Sequence, residues 1–257
     1  MTAPILITGG TGTLGRLVVP RLRAAGREVR VLSRTGRGPG LVTGDLATGA
    51  GVHAAVAGAG IIVHLAGSAK GDDDKARTLV AAARRAGRAH LVHISVVGAD
   101  RVPVVSAADR MAFGYFAAKR GAEEVVAGSG LPWTTLRATQ FHQLTLTVAR
   151  QMARMPVVAV PAGVRFQPVD GAEVADRMVE LALGEPAGLV PDLAGPHVYG
   201  MDELVRGYLR AVGRRRLIVP VRFAGRAYRA VRAGANLAPG RAVGVRTWPD
   251  FLAATVH

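Results

Sequence analysis

The chain has no cysteine and only three lysines, Lys70, Lys75 and Lys119, and aromatic residues make up 5% of it. Without cysteine there is no disulfide, no thiolate nucleophile and no cysteine-ligated metal. The scarcity of lysine makes 30 of the 33 basic residues arginine, against 18 acidic residues and a net charge of +15. Such a balance invites a nucleic-acid reading. Scattered arginines on an Ala- and Gly-rich background read instead as a solvated surface, because net charge bears on solubility and association rather than on fold. A nucleic-acid partner is not expected. Basic residues do gather late, between Arg206 and Arg246, with Arg214, Arg215 and Arg216 consecutive, which leaves an anionic partner or a membrane surface open for that region.

Long apolar runs are missing as well. A membrane span needs roughly 20 uncharged apolar residues, and the longest weakly polar stretch, 52–69, is rich in Ala and Gly and interrupted by His53 and His64. The N-terminus, MTAPILITGG, carries no basic segment and reaches turn-forming glycine by residue 9, unlike a secretory signal. A cytoplasmic protein without a membrane span is expected. What is present, 257 residues with 49% apolar and 20% charged side chains, suits one generous core or two modest ones.

Short β-branched apolar runs alternate with Ala-rich stretches through residue 137, the pattern of βαβ units and a parallel sheet. Strands are predicted at 5–8, 28–33, 41–43, 61–65, 91–95 and 134–137, and helices at 14–25, 52–57, 73–86 and 112–127, each closing at or near a glycine. The strands are almost continuously apolar, as strands covered by helices on both faces are. Beyond 137 the spacing predicts helices at 141–155 and 172–183, short strands at 157–161 and 164–169, and a tail of Pro and Gly turns with arginine-rich helices. The expected architecture is α/β: one doubly wound, mostly parallel Rossmann-type sheet in a single domain. Residues 1–137 form its dinucleotide-binding core, and 138–257 form a small irregular lobe on the substrate side, across the carboxyl ends of the strands.

The strongest local signal is ILITGGTGTLG, an apolar strand running through Gly9, Gly10, Thr11, Gly12, Thr13, Leu14 and Gly15 directly into a helix. Glycines at this spacing permit a tight turn, close approach of backbone to a pyrophosphate, and close packing of helix on strand, while the helix N-terminus holds phosphate charge. A P-loop does not fit, because Arg16 and Leu17 stand where Lys and Ser/Thr would be required. At the end of the second strand, where an acidic residue would take both ribose hydroxyls of NAD, stand Ser33 and Arg34, with Arg37 nearby. A guanidinium suits a 2′-phosphate, so NADP(H) is expected in preference to NAD(H).

These motifs, with Asp45-Leu46, Leu65-Ala66-Gly67, Ser95, the Tyr115 to Lys119 segment YFAAK, LPWTTLRATQF (131–141) and FQPVDGAEVADRMVELA (166–182), resemble the short-chain dehydrogenase/reductase superfamily and, within it, the atypical NmrA-like NAD(P)-binding members. The resemblance spans roughly three-quarters of the chain. It implies that Asp45 contacts adenine through its side chain and Leu46 through its backbone. It further implies that Leu65, Ala66 and Gly67 line the adenosine ribose and pyrophosphate, and that Arg137, Ala138 and Thr139 lie beside the nicotinamide. Ser95 would be the catalytic residue that polarises the substrate oxygen. Two departures weigh against turnover: many relatives place the catalytic hydroxyl one position later, where this chain has Val96, and the helix at 73–86 lacks the asparagine that many members use to hold a water.

Tyr115 and Lys119 are four residues apart on a predicted helix and so share a face. A neighbouring ammonium favours the phenolate, which lets a phenol exchange a proton with a carbonyl oxygen; Lys119 would also bond the nicotinamide ribose. Gln140, Phe141 and His142 follow the sixth strand and are expected to face substrate together with Phe166 and Gln167. His64, His90 and His93 read as satisfied core or strand-end histidines, and no ligand spacing points to a metal. The chain is expected to be an NADP(H)-dependent oxidoreductase moving hydride between nicotinamide and a small carbonyl, quinone or alcohol. The alternatives are a non-catalytic NADP(H)-binding redox sensor and an NAD-dependent epimerase or dehydratase.

Overall fold

The computed structural model describes residues 3–36, 38–68 and 71–256; Arg37, one of the expected phosphate contacts, lies outside them. The apolar runs form parallel strands β1 (Ile5–Thr8), β2 (Val29–Ser33), β3 (Leu41–Thr43), β4 (Ile61–His64), β5 (His90–Val96) and β6 (Trp133–Ala138), joined at one edge by the short β9 (Gly188–Leu189). Their order is β3-β2-β1-β4-β5-β6-β9. The direction of winding therefore reverses between β1 and β4, where doubly wound sheets bind ligands. Residues Ile5, Leu6, Ile7 and Thr8 face Val29 to Leu32 on one side and Ile61 to His64 on the other. All of β1 and β5 and most of β4 are buried, as the unbroken apolar runs required.

Helices α1 (Gly15–Ala24), α2 (Val52–Val56), α3 (Asp72–Ala86) and α4 (Ala107–Ala127) alternate with these strands. On α3 the buried positions Asp72, Ala76, Leu79, Val80 and Ala83 recur at helical spacing, and Leu79, Val80 and Ala83 pack with Leu6, Ile62 and Leu91 of the sheet. Beyond α3, Gly87 takes φ +138° and ends the helix. Helix α4 starts five residues earlier than its apolar pattern predicts. Ser106 and Asp109 explain it: the Asp109 amide donates to Ser106 Oγ (3.0 Å) and the Ser106 amide to Asp109 Oδ2 (3.2 Å), a reciprocal cap that holds the extra turn.

The chain divides into two compact units. The first comprises Met1–Ser95, Ala117–Arg137 and Val174–Pro191 and contains nearly all of the seven-stranded sheet; the second comprises Val96–Phe116, Ala138–Glu173 and Asp192–His257. In the second, α5 (His142–Met152), α7 (Met201–Ala211) and α9 (Trp248–Thr255) surround a core of Leu146, Leu204, Trp248, Phe251 and Leu252. Strand β7 (Val157–Pro161) pairs in parallel with β11 (Leu217–Val221), and β8 (Arg165–Phe166) pairs antiparallel with β10 (Tyr199–Gly200). The strand predicted at 164–169 is cut to two residues because Pro168 has no amide to donate and the Gln167 amide goes to the Gln140 side chain (3.3 Å). Helix α6 (Gly171–Leu183) falls where the spacing placed it, and α8 (Arg226–Arg232) is one of the arginine-rich helices of the tail.

Candidate cofactor site and buried lysine

The turn from β1 into α1 owes its shape to three glycines. Gly9 sits at φ +71°, and a Cβ there would lie 2.6 Å from the Ala66 amide nitrogen. A Cβ on Gly10 would strike Val31 of β2 at 2.7 Å, and one on Gly15 would lie 2.3 Å from the Gly9 carbonyl oxygen. These residues are glycine for the sake of the fold. Gly12 is different. It is exposed and not in the left-handed region, and a Cβ there would meet only the Gly9 carbonyl oxygen, at 3.2 Å. Its bare Cα leaves room outside the protein for a closely approaching group. Helix α1 follows from Gly15, with no acidic residue in its first turn and no side-chain cap. Its amides and the positive end of its dipole thus suit an anion, and the turn fits a dinucleotide pyrophosphate.

Beside this turn opens a cleft of about 490 Å³ into which Thr11, Arg16 and Arg23 face. Neither arginine is among the expected site residues, although Arg16, Val19, Pro20 and Arg23 recur at the spacing of one helix face and all line the cleft. Arg16 Nε donates to the Thr11 carbonyl (2.9 Å). Ser33 is half-buried at the end of β2, and Arg34 beyond it is exposed. Asp45 Oδ1 accepts from the Ala47 amide (2.9 Å) and Leu46 is buried in the core. Leu65 and Ala66 are half-buried where the chain leaves β4, and Gly67 is exposed.

Lys119 is buried, its side chain only 4% exposed, with Nζ 3.2 Å from Asp72 Oδ2 and a hydrogen bond to the Ile94 carbonyl (3.4 Å). Asp72, itself wholly buried, accepts through Oδ1 from the Ser68 amide (2.7 Å) and hydroxyl (3.2 Å). Burial pulls Lys119 below its ordinary value, and the Asp72 carboxylate opposes that pull. A Cβ on Gly67 would stand 3.0 Å from the ammonium, so Lys119 is pressed against the backbone leaving β4. Asp72 is not among the residues expected at the site, since α3 starts one residue before the predicted 73–86. Its signal was legible: of Asp72, Asp73 and Asp74, only the first falls in phase with Ala76, Leu79 and Ala83. One turn after Lys119, Glu123 grips Arg137 through two hydrogen bonds of 2.7 Å, both residues buried. The Arg137 guanidinium is therefore engaged by α4. Tyr115, one turn before Lys119, is 39% exposed and meets the Phe116 ring edge to face at 6.1 Å.

His64 and His93, opposite each other on β4 and β5, stack with centroids 5.2 Å apart and are fully buried. His64 Nδ1 lies 2.7 Å from the Thr8 hydroxyl, but His64 Nε2, both His93 nitrogens and Ser95 Oγ have no hydrogen-bond partner among the described residues. The expectation of satisfied core histidines therefore holds for His90, bonded to Thr134 Oγ1 at 2.9 Å, and not for His93. Burial pushes His64 down to about 3 and His93 well below the histidine range, the Lys119 ammonium lowering both further. In the unfolded chain both take up protons near pH 6.5. Folding stability should thus be complete above that pH and fall as pH drops toward 3, by about 1.4 kcal/mol per pH unit for each histidine. Melting curves from pH 7 to about pH 4.5 check this. His93→Leu, which breaks no hydrogen bond, should flatten the slope and raise the melting temperature at pH 7 by roughly 2–4 °C. A lower melting temperature for the variant at pH 7 would contradict the description.

In the second unit, Ala138 and Thr139 are buried, with the Gly195 amide donating to Thr139 Oγ1 (3.3 Å). Gln140, Phe141 and Phe166 are half-buried. Two residues expected to face substrate are instead packing residues. His142 is wholly buried between Trp248 and Phe251, with Nε2 3.0 Å from the Arg246 carbonyl. Gln167 is buried as well, its side chain bonded to Gly195 and Ala238 backbone at 2.8 and 2.9 Å.

A doubly wound parallel sheet carrying a glycine-rich turn at its point of reversal defines a dinucleotide-binding protein of the Rossmann type. The NAD(P)H-binding family matches residues 9–182, and the chain belongs to that family. It is 31% identical over 228 residues to (4-alkanoyl-5-oxo-2,5-dihydrofuran-3-yl)methyl phosphate reductase of Streptomyces griseus, the match covering 85% of this chain and 76% of the reductase. In fold it is similar to the NADPH-dependent quinone oxidoreductase QOR2 of Escherichia coli, solved with NADPH (TM-score 0.78, 19% identity, 97% of this chain and 99% of that one). It is likewise similar to the UDP-glucose 4-epimerase of Thermus thermophilus, solved with NAD (TM-score 0.68, 19% identity, 98% and 100%).

Proposed function

We propose that the chain is an atypical, NmrA-like, NADP(H)-dependent oxidoreductase that transfers hydride between nicotinamide and a small carbonyl, quinone or alcohol. The observation that carries this reading is the buried Lys119, held by Asp72 against the backbone at Gly67 and one helical turn from an exposed tyrosine. A buried ammonium is costly, and a ribose hydroxyl and a phenol give it work. The reductase named above and the quinone oxidoreductase support the same reaction class.

In this reading Gly9 to Gly15 would hold the pyrophosphate, Asp45 and Leu46 the adenine, and Leu65, Ala66 and Gly67 the adenosine ribose. Ser33, Arg34 and Arg37 would hold the 2′-phosphate, and the positive charge of Arg16 and Arg23 beside the glycine turn favours it further. Ala138, Thr139 and the Lys119 ammonium would hold the nicotinamide riboside. Bound NADPH supplies the hydride. Tyr115 delivers the proton to the substrate oxygen, and the ammonium one turn away stabilises the phenolate left behind. Ser95, the residue the family resemblance assigns to that oxygen, has a buried hydroxyl without a partner among the described residues and would polarise the oxygen only once exposed to substrate. Gln140, Phe141 and Phe166 contact substrate, so residues 138–257 supply most of its surroundings, as 1–137 do for the cofactor.

Cofactor choice is the test. NADPH should bind more tightly than NADH by fluorescence titration, and Arg34→Glu should weaken NADPH roughly 10- to 100-fold while leaving NADH within about twofold. Equal affinities in the wild type would refute the assignment of Arg34. NADPH binding with no oxidation across a panel of quinones and aldehydes would refute the enzyme and leave a redox sensor.

A further inference from the structure

We propose that the β7–β11 sheet docks onto an anionic lipid membrane surface. Its two strands run parallel with Leu217 opposite Val157 and Val219 opposite Ala159. Along β7 the side chains alternate, Val158 and Val160 turned into the core and Val157 and Ala159 out to solvent. Leu217 is 65% exposed, Val157 48% and Val219 38%, and Met155 just before β7 (59%) and Phe223 just after β11 (58%), at opposite ends of the pair, are exposed as well. Isolated exposed apolar residues are ordinary, but a paired row flanked by two more marks an interaction surface.

The charge around it selects the partner. Because the strands are parallel, the segments entering both lie at one end, which brings Arg154 to the same end as Arg214, Arg215 and Arg216, all exposed. Arg222 follows β11. None of these five has a carboxylate partner among the described residues. The sequence from Leu204 to Pro249 contains eleven arginines and no acidic residue, and 139–169 contains no acidic residue either. An aliphatic centre with a cationic margin matches the boundary between anionic headgroups and acyl chains, where arginine stems lie on apolar groups and guanidinium groups meet phosphate.

A second copy of the chain fits less well, since a symmetric contact would set like charges against each other, and Pro220, lacking an amide, blunts β11 against strand addition. Nucleic acid would use the arginines but not the exposed Leu217, Val157 and Met155, because single strands are held by aromatic stacking and duplexes by polar contacts.

Flotation of the full chain with vesicles separates these outcomes. Recovery with vesicles containing phosphatidylglycerol should exceed recovery with pure phosphatidylcholine by at least about tenfold and fall as salt rises. Arg214→Ser, Arg215→Ser and Arg216→Ser should each cut it about fivefold. Leu217→Glu with Val219→Glu should abolish it, with melting temperature and NADPH binding unchanged. Equal recovery with both vesicle types, no recovery, or insensitivity to the Leu217 and Val219 changes would overturn the proposal. So would a dimer in light scattering that Leu217→Glu dissolves, or a DNA gel shift that survives the same change.

Discussion

Tyr115→Phe is expected to lower kcat for NADPH-dependent carbonyl reduction by about 10²- to 10⁴-fold, the usual contribution of a positioned proton donor. The affinity for NADPH should stay near its wild-type value. The ring is 39% exposed and packs edge to face on Phe116, a contact that phenylalanine keeps, while the hydroxyl is removed. Loss confined to kcat and kcat/KM, with KM little changed, is what removal of a transition-state interaction looks like. Undiminished turnover would show that the proton comes from another group.

Lys119→Met should be the most destabilising of the substitutions considered. It leaves the Asp72 carboxylate buried, supported by Ser68 and by Lys75 at 3.7 Å. Breaking a buried ion pair from one side costs about 3–5 kcal/mol, or roughly 10 °C in melting temperature at this size. The double variant Lys119→Met with Asp72→Asn removes both charges and should regain most of that stability, while turnover stays lost in both proteins. Recovery of activity along with stability would make Lys119 a structural residue alone. Wild-type stability in the single variant would mean that the pair does not carry the burial described.

The elements written in hydrophobic periodicity were legible in the sequence, and so was the glycine turn, because alternation and glycine spacing are local properties. Ile5–Thr8 and Leu41–Thr43 fall where the pattern put them. What failed depended on side chains meeting across the fold. His142 sits in sequence beside Gln140 and Phe141, and only the packing of α9 turns it into a ring between Trp248 and Phe251. The pairing of His93 with His64 follows from strand register, which the sequence does not state. Asp72 lay within reach of the helical pattern but was masked by its two acidic neighbours, half-buried Asp73 and exposed Asp74. The capping pair of Ser106 and Asp109 was likewise written in the sequence and was outvoted by the apolar pattern that begins later. The arginines on the α1 face facing the cleft were obscured by the abundance of arginine elsewhere.

In the proposed function the turn at Gly9 to Gly15 receives the pyrophosphate of NADPH, and Gly12 offers the cleanest access to it. Its Cα is bare toward solvent, unlike those of Gly9, Gly10 and Gly15, whose substitution would disturb the fold itself. The measurement is NADPH titration of wild type and Gly12→Ala, each checked by thermal melting. Saturable binding by the wild type is expected, with binding weakened at least about tenfold in a variant that melts within about 3 °C of it. A wild-type chain that does not bind NADPH, or a folded Gly12→Ala that binds it as tightly, would overturn the assignment of this turn to the pyrophosphate.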